Sequence, residues 1–185
     1  MDDVILASTR DLLAEGSYAE LSMESVASHA GVGKKTLYRR WPSKARLVAH
    51  AVLDAYGRRG SFEVRETGDL RADLRAWWDE HAEFIADPAN AALIRALIAG
   101  AAAGTQDNGA LHELLSAPQH AGLMVRLQHA TRDGDIVAGT NLDAMADALV
   151  GSLLLQSLVG ARPHQSLTGL IDTLLDGALT TGPVH

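Results

Sequence analysis

Ser22-Met-Glu-Ser-Val-Ala-Ser-His-Ala-Gly-Val-Gly-Lys-Lys-Thr-Leu-Tyr-Arg-Arg-Trp41 decides the fold. Ser22 is an N-cap residue, and Glu24 in the first turn suits the positive end of a helix, so a helix is expected from about Met23 to His29. Ser25 stands where a capping-box Glu would stand. Ala30-Gly31-Val32 reads as a tight three-residue turn, and a second short helix follows from about Lys34 to Arg40. Two short helices joined by a glycine-containing turn, the second one basic, fit a helix-turn-helix. At 100° per residue, Lys34, Lys35, Tyr38 and Arg39 share an arc of about 140°, while Leu37 and Trp41 fall outside it, available to pack on Val26, Ala27 and a preceding helix. A helix about 10–12 Å across with one cationic face can enter a major groove about 12 Å wide.

Working outward, Val4–Glu15 forms a first helix that Gly16 ends, and Trp41-Pro42-Ser43 breaks the chain before a fourth helix, capped by Ser43, that runs to about Tyr56. Residues 57–68 have no apolar period and three glycines, which marks a domain boundary. Further helices are expected at about 69–86, 89–103, 108–116, 119–132, 141–160 and 165–180. All five prolines fall at plausible boundaries. The chain therefore reads as all-α, with a DNA-binding segment at 1–57 (motif about 22–41) and a helical segment at 69–185.

The 185 residues carry a net charge of -7, which at face value opposes nucleic acid as a partner. The charge is not evenly spread. Residues 1–30 hold one Arg and six acids. Residues 31–46 hold Lys34, Lys35, Arg39, Arg40, Lys44 and Arg46 with no acid, and the remainder is acidic. Without cysteine there is no disulfide framework and no thiolate site. The start, Met1-Asp2-Asp3, is unlike a signal peptide, and the longest uncharged apolar stretch, 148–161, is shorter than the ~20 residues of a membrane helix, so a cytoplasmic protein is expected.

Gly31-Val-Gly-Lys-Lys-Thr36 fails as a phosphate loop because Ser28 occupies the first glycine position and Lys35 separates Lys34 from Thr36. No two His are four apart, Asp143 and Asp147 have no third ligand nearby in sequence, and no Gly-x-Ser-x-Gly elbow occurs. Neither metal, cofactor nor catalytic role is expected.

Gly16-Ser-Tyr18, Leu21-Ser-Met-Glu-Ser-Val-Ala27, Ala30-Gly-Val32, Lys35-Thr-Leu-Tyr38 and Trp41-Pro-Ser-Lys44 together resemble the N-terminal domain of the tetracycline-repressor (TetR) family of regulators, over about residues 1–57. The resemblance implies that Ser22, Tyr38 and Lys44 touch phosphates and that Lys34, Lys35, Thr36 and Arg39 lie at or near base edges. Gly33 departs from the family, which often has Ser there, so a possible hydroxyl contact is lost. The resemblance further implies a C-terminal domain that dimerises and binds an effector. The last two helices are the most apolar, and Gly151 and Ser152 permit close helix approach, as a homodimer interface requires. Trp77, His81, Phe84, Met124, Gln128 and Gln156 are the candidate effector contacts, polar or aromatic groups on otherwise apolar helices. The expected function is a repressor released from a palindromic operator by a small molecule; the competing reading is a helical module whose basic helix binds an acidic protein or RNA.

Overall fold

The computed structural model describes residues 1–57, 62–102, 112–159 and 165–178. Nine α-helices run along them: α1 (Asp2–Glu15), α2 (Met23–His29), α3 (Lys34–Arg40), α4 (Lys44–Gly57), α5 (Leu70–Ala86), α6 (Pro88–Ala102), α7 (Ala117–Asp133), α8 (Leu142–Val159) and α9 (Gln165–Asp176). No strand occurs among the described residues. Residues 58–61, 103, 108–111, 160 and 179–180 of the expected linker and helices lie outside the described residues.

The helices form two compact units, Met1–Ser61 with Phe84–Ala117, and Phe62–Glu83 with Pro118–His185. In the first, α1, α2, α3 and α4 bury Ile5, Leu13, Val26, Leu37, Leu47, Val48 and Val52, each at most 3 % exposed. α6 packs against both α1 and α4 and adds Leu93, Ile94 and Leu97 to this core. The packing unit is thus larger than the sequence segment 1–57. Gly100 on α6 explains the close fit, since a Cβ there would lie 2.7 Å from the Tyr18 hydroxyl.

Capping side chains set the helix starts. Ser43 Oγ accepts from Arg46 N, Asp69 Oδ1 from Ala72 N, Asp87 Oδ1 from Ala89 N, and Asn141 Oδ1 from Ala144 N. One boundary differs from expectation. Pro118 was expected to separate two helices, but the chain turns as a π-helix over His112–Ser116 and runs directly into α7. The wide turn carries the backbone past a residue that donates no hydrogen bond.

In the second unit Leu74, Trp77 and Trp78 of α5, Leu123, Leu127 and Ala130 of α7, Met145, Ala146, Leu149 and Leu153 of α8, and Ile171 and Leu175 of α9 are buried. Within this core lies an ion pair, Arg126 Nε to Asp73 Oδ2 at 2.8 Å, with side chains only 3 % and 1 % exposed. Thr67 completes it, donating its hydroxyl to Asp73 Oδ1 at 2.6 Å and its N–H to the same carboxylate at 3.2 Å. Burial opposes ionisation of Asp73, but the bonds from Thr67 and Arg126 outweigh it and hold the carboxyl below its ordinary range. The strap that supplies Thr67 passes directly over α7: a Cβ on Gly122 would meet the Phe62 carbonyl at 2.2 Å. At the other side, Arg71 of α5 bonds Asp172 and Asp176 of α9, and Arg75 reaches Asp172 at 2.7 Å.

Removing one member of the buried pair leaves the other charged and unpaired. Arg126→Met is therefore expected to destabilise the chain by about 3–5 kcal/mol in urea unfolding, and Asp73→Leu with Arg126→Met to recover most of the loss. A single variant as stable as the parent would show that the pair is not buried.

Candidate DNA interface

The turn between α2 and α3 is built from backbone requirements. α2 ends in a Schellman motif, with Val32 N bonding Ala27 O at 2.9 Å and Gly31 N bonding Ser28 O at 3.2 Å. That closure places Gly31 at φ +66°, a conformation that L side chains rarely adopt. At the other end of α2, Ser22 Oγ accepts from Ser25 N at 3.0 Å while Ser22 N donates to Ser25 Oγ at 3.1 Å. Ser25 thus closes the capping box that normally needs Glu or Gln.

α3 begins at Gly33 without a side-chain cap. Leu37 is fully buried and Trp41 is 4 % exposed, which orients the helix as expected. Lys34, Lys35, Tyr38 and Arg39 are exposed and Thr36 is half-buried. These cations differ in their partners. Lys34 Nζ lies 3.3 Å from Glu24 Oε1 of α2, Arg40 pairs with Asp2, and Arg46 lies 3.6 Å from Glu113. Lys35 and Arg39 have no ion-pair partner among the described residues. Ser22 is half-buried and used on both its N–H and its hydroxyl.

Lys44 stands apart. Its ammonium donates to Tyr18 O at 2.7 Å and Leu21 O at 2.9 Å and lies 4.1 Å from the centre of the Tyr18 ring. Burial lowers its pKa. Two of its three donors therefore tie the α1–α2 turn to the start of α4. Sequence alone gave no signal for this tether, whose acceptors are main-chain carbonyls more than twenty residues away.

Five of the six effector candidates lie in the second unit and Phe84 in the first. The Trp77 and His81 rings meet in a tilted contact, centroids 4.4 Å apart, and are buried, with His81 Nδ1 at 2.7 Å from Trp77 O. Burial depresses the His81 pKa against the opposing effect of that carbonyl, so the neutral ring donates from Nδ1 and presents Nε2 as an acceptor. Gln156 is buried in the same unit, whereas Met124 is half-buried and Gln128 exposed. Phe84 stacks on Tyr56 at 3.7 Å, in the other unit. A groove of about 400 Å³ in the second unit is lined by Phe62, Val64, Pro118, Ala121, Gly122 and Val125, with Glu63 at its edge, and holds none of the six. The ion pair of Asp73 with Arg126 was also missed; the available signal was a lone Arg among Leu123, Leu127 and Ala130 on the apolar face of α7.

Lys44→Ala removes two charge-assisted bonds and is expected to lower stability by about 1–3 kcal/mol by urea unfolding, before any effect on DNA. Unchanged stability would free Lys44 for a purely phosphate role. His81, held neutral, contributes stability fully present above the ordinary His value of 6.5 and lost as pH falls through the depressed folded value. Between pH 7.5 and 5.5 the unfolding free energy should fall, and less so in His81→Gln; an equal decline would assign the effect elsewhere.

Residues 5–51 match the family model described as bacterial regulatory proteins of the tetR family, and residues 64–176 match the tetracyclin repressor-like C-terminal domain. The HTH-type transcriptional regulator Mb1581 of Mycobacterium bovis is 32% identical over 178 residues, covering 95% of this chain and 86% of that protein. The DNA-binding transcriptional repressor TetR of Mycobacteroides abscessus is 44% identical over 72 residues, covering 39% of this chain and 37% of that protein. Among solved structures, the TetR family transcription regulator SCO0332 superposes with a TM-score of 0.71 at 31% identity, covering 97% of each chain. An all-helical fold, a helix-turn-helix with an outward cationic face and these similarities agree, and the chain belongs to the TetR family of DNA-binding transcriptional regulators.

Proposed function

We propose that the chain is a repressor that binds a palindromic operator as a homodimer in the cytoplasm and leaves it when a small molecule binds. The observation that carries this reading is the outer face of α3, where Lys35 and Arg39 flank Tyr38, all exposed and clear of the core that Leu37 and Trp41 anchor. Lys35 and Arg39, with Lys34 and Thr36, are assigned to base edges, and Ser22, Tyr38 and the remaining donor of Lys44 to phosphate. Residues 1–57 carry this role and 69–185 the effector and dimer roles.

For the dimer, Leu155, Leu158 and Val159 of α8 form an exposed apolar stripe with Gly151 one turn before it, each of the three side chains more than half exposed. By length and composition α8 is also apolar enough to cross a membrane, but its opposite side is core, and a second α8 covers such a stripe equally well. For the effector, Trp77, His81 and Gln156 are the supported contacts. Trp77 Nε1 and Gln156 Oε1 are buried and find no hydrogen-bond partner among the described residues, a cost of about 1–3 kcal/mol each that a ligand with matching groups would relieve. Met124, Gln128 and Phe84 have no comparable support.

The test is fluorescence anisotropy on a duplex selected by the protein from a random pool, against a scrambled duplex. Lys35→Ala should cost about 1–3 kcal/mol on the selected duplex and much less on the scrambled one. Equal losses on both would remove Lys35 from base recognition.

A further inference from the structure

Glu24 is an acid beside the helix face assigned to DNA, a position where a carboxylate opposes binding unless it does something else. It is half exposed, and its Oε1 lies 3.3 Å from the ammonium of Lys34, the first residue of α3. Lys34 itself is badly placed for helix stability. It adds a positive charge to the positive end of a seven-residue helix that has no side-chain cap. Glu24, at the start of α2, supplies the missing anion. Its own backbone N–H and then the Lys34 ammonium hold its carboxyl below the usual range, with a smaller contribution from the Tyr38 hydroxyl. One carboxylate therefore faces two of the residues assigned to DNA.

We infer that Glu24 is a positioning and specificity-determining residue, an internal anion that holds Lys34 in place in the free protein and is exchanged for DNA on binding. The inference rests on reading the outer face of α3 as the DNA surface. Its consequence is a matter of counting ions. When an unpaired lysine neutralises a phosphate, one condensed cation leaves the DNA and the affinity becomes more salt-dependent by about 0.9 in slope. While Lys34 stays paired with Glu24 it neutralises no phosphate and adds nothing to that slope, and engaging DNA costs it the ion pair. Lys34 then contributes to contacts in the right geometry but little to sequence-independent attraction. On a scrambled duplex, where Lys34 gains no base contact, keeping Glu24 is the better choice.

The test uses the full chain, a duplex selected from a random pool and a scrambled duplex, with anisotropy titrations from about 50 to 200 mM salt. Glu24→Gln, which is isosteric and exposed, should bind the scrambled duplex about three- to tenfold more tightly at the lowest salt. Its salt slope should steepen by about 0.9, and its preference for the selected duplex should fall. In a Lys34→Ala background the same substitution should change the slope little, because the residue it acts through is gone. An unchanged slope and scrambled-duplex affinity in Glu24→Gln overturns the proposal. So does an equal gain with and without Lys34, which would be the effect of net charge alone. A parent chain that binds both duplexes alike, whatever is done to Lys35 and Arg39, overturns the DNA-surface reading and the proposal with it; the first two results overturn the proposal only.

Discussion

A helix of seven residues does not hold together in water, because nucleation costs more than so few hydrogen bonds return. α3 exists because Leu37 is buried without remainder, Trp41 closes its end against the core, and the Schellman turn at Gly31 delivers the chain to its start. Everything the protein presents to DNA depends on that anchoring. Burying Leu37 fixes the rotation of the helix about its axis, and the rotation decides that Lys35, Tyr38 and Arg39 face outward. A polar residue at position 37, or any side chain at Gly31, would disturb DNA binding through geometry without touching a single DNA-facing group.

The charge of the basic segment changes meaning once it is folded. Six cations without an acid between Gly31 and Arg46 suggest a strongly positive surface. In space, Lys34 has Glu24, Arg40 has Asp2, Arg46 has Glu113, and Lys44 is turned towards main-chain carbonyls. The acids come from α2, from the first residues of the chain and from the turn before α7, all distant in sequence. Exposed pairs of this kind are worth about 1 kcal/mol or less, so phosphate can replace the acid partner at small cost.

The local rules carried most of the fold. Caps at Ser22 and Ser43, the glycine at the α2–α3 turn and the apolar spacing of each helix were legible because each depends on residues within one or two turns. What depended on distant partners was not. Asp73 and Arg126 are 53 residues apart, Lys44 and its acceptors more than twenty, and no periodicity connects them. Pro118 misled for a related reason: its effect on a helix depends on the hydrogen-bond register of the preceding turn, which a π turn alters. The candidate effector residues show a third limit. Aromatic and polar groups on apolar helices mark burial reliably, as Trp77, His81 and Gln156 confirm, but they do not say which helices converge, and Phe84 went to Tyr56 instead.

The placement of α6 bears on what holds the helix-turn-helix together. α6 follows α5 directly in the chain and yet packs on α1 and α4, with Gly100 pressed against Tyr18. Tyr18 in turn offers its carbonyl and its ring to Lys44, the residue that begins α4. A shift of α6 along its axis would therefore reach the Tyr18–Lys44 tether before it reached α3, and would act on the helices that hold α3 in place. On this view the cation that the family resemblance assigned to phosphate has its main part in the framework. The exposed cations of α3 without an ion-pair partner among the described residues are correspondingly few, Lys35 and Arg39 with Tyr38 between them.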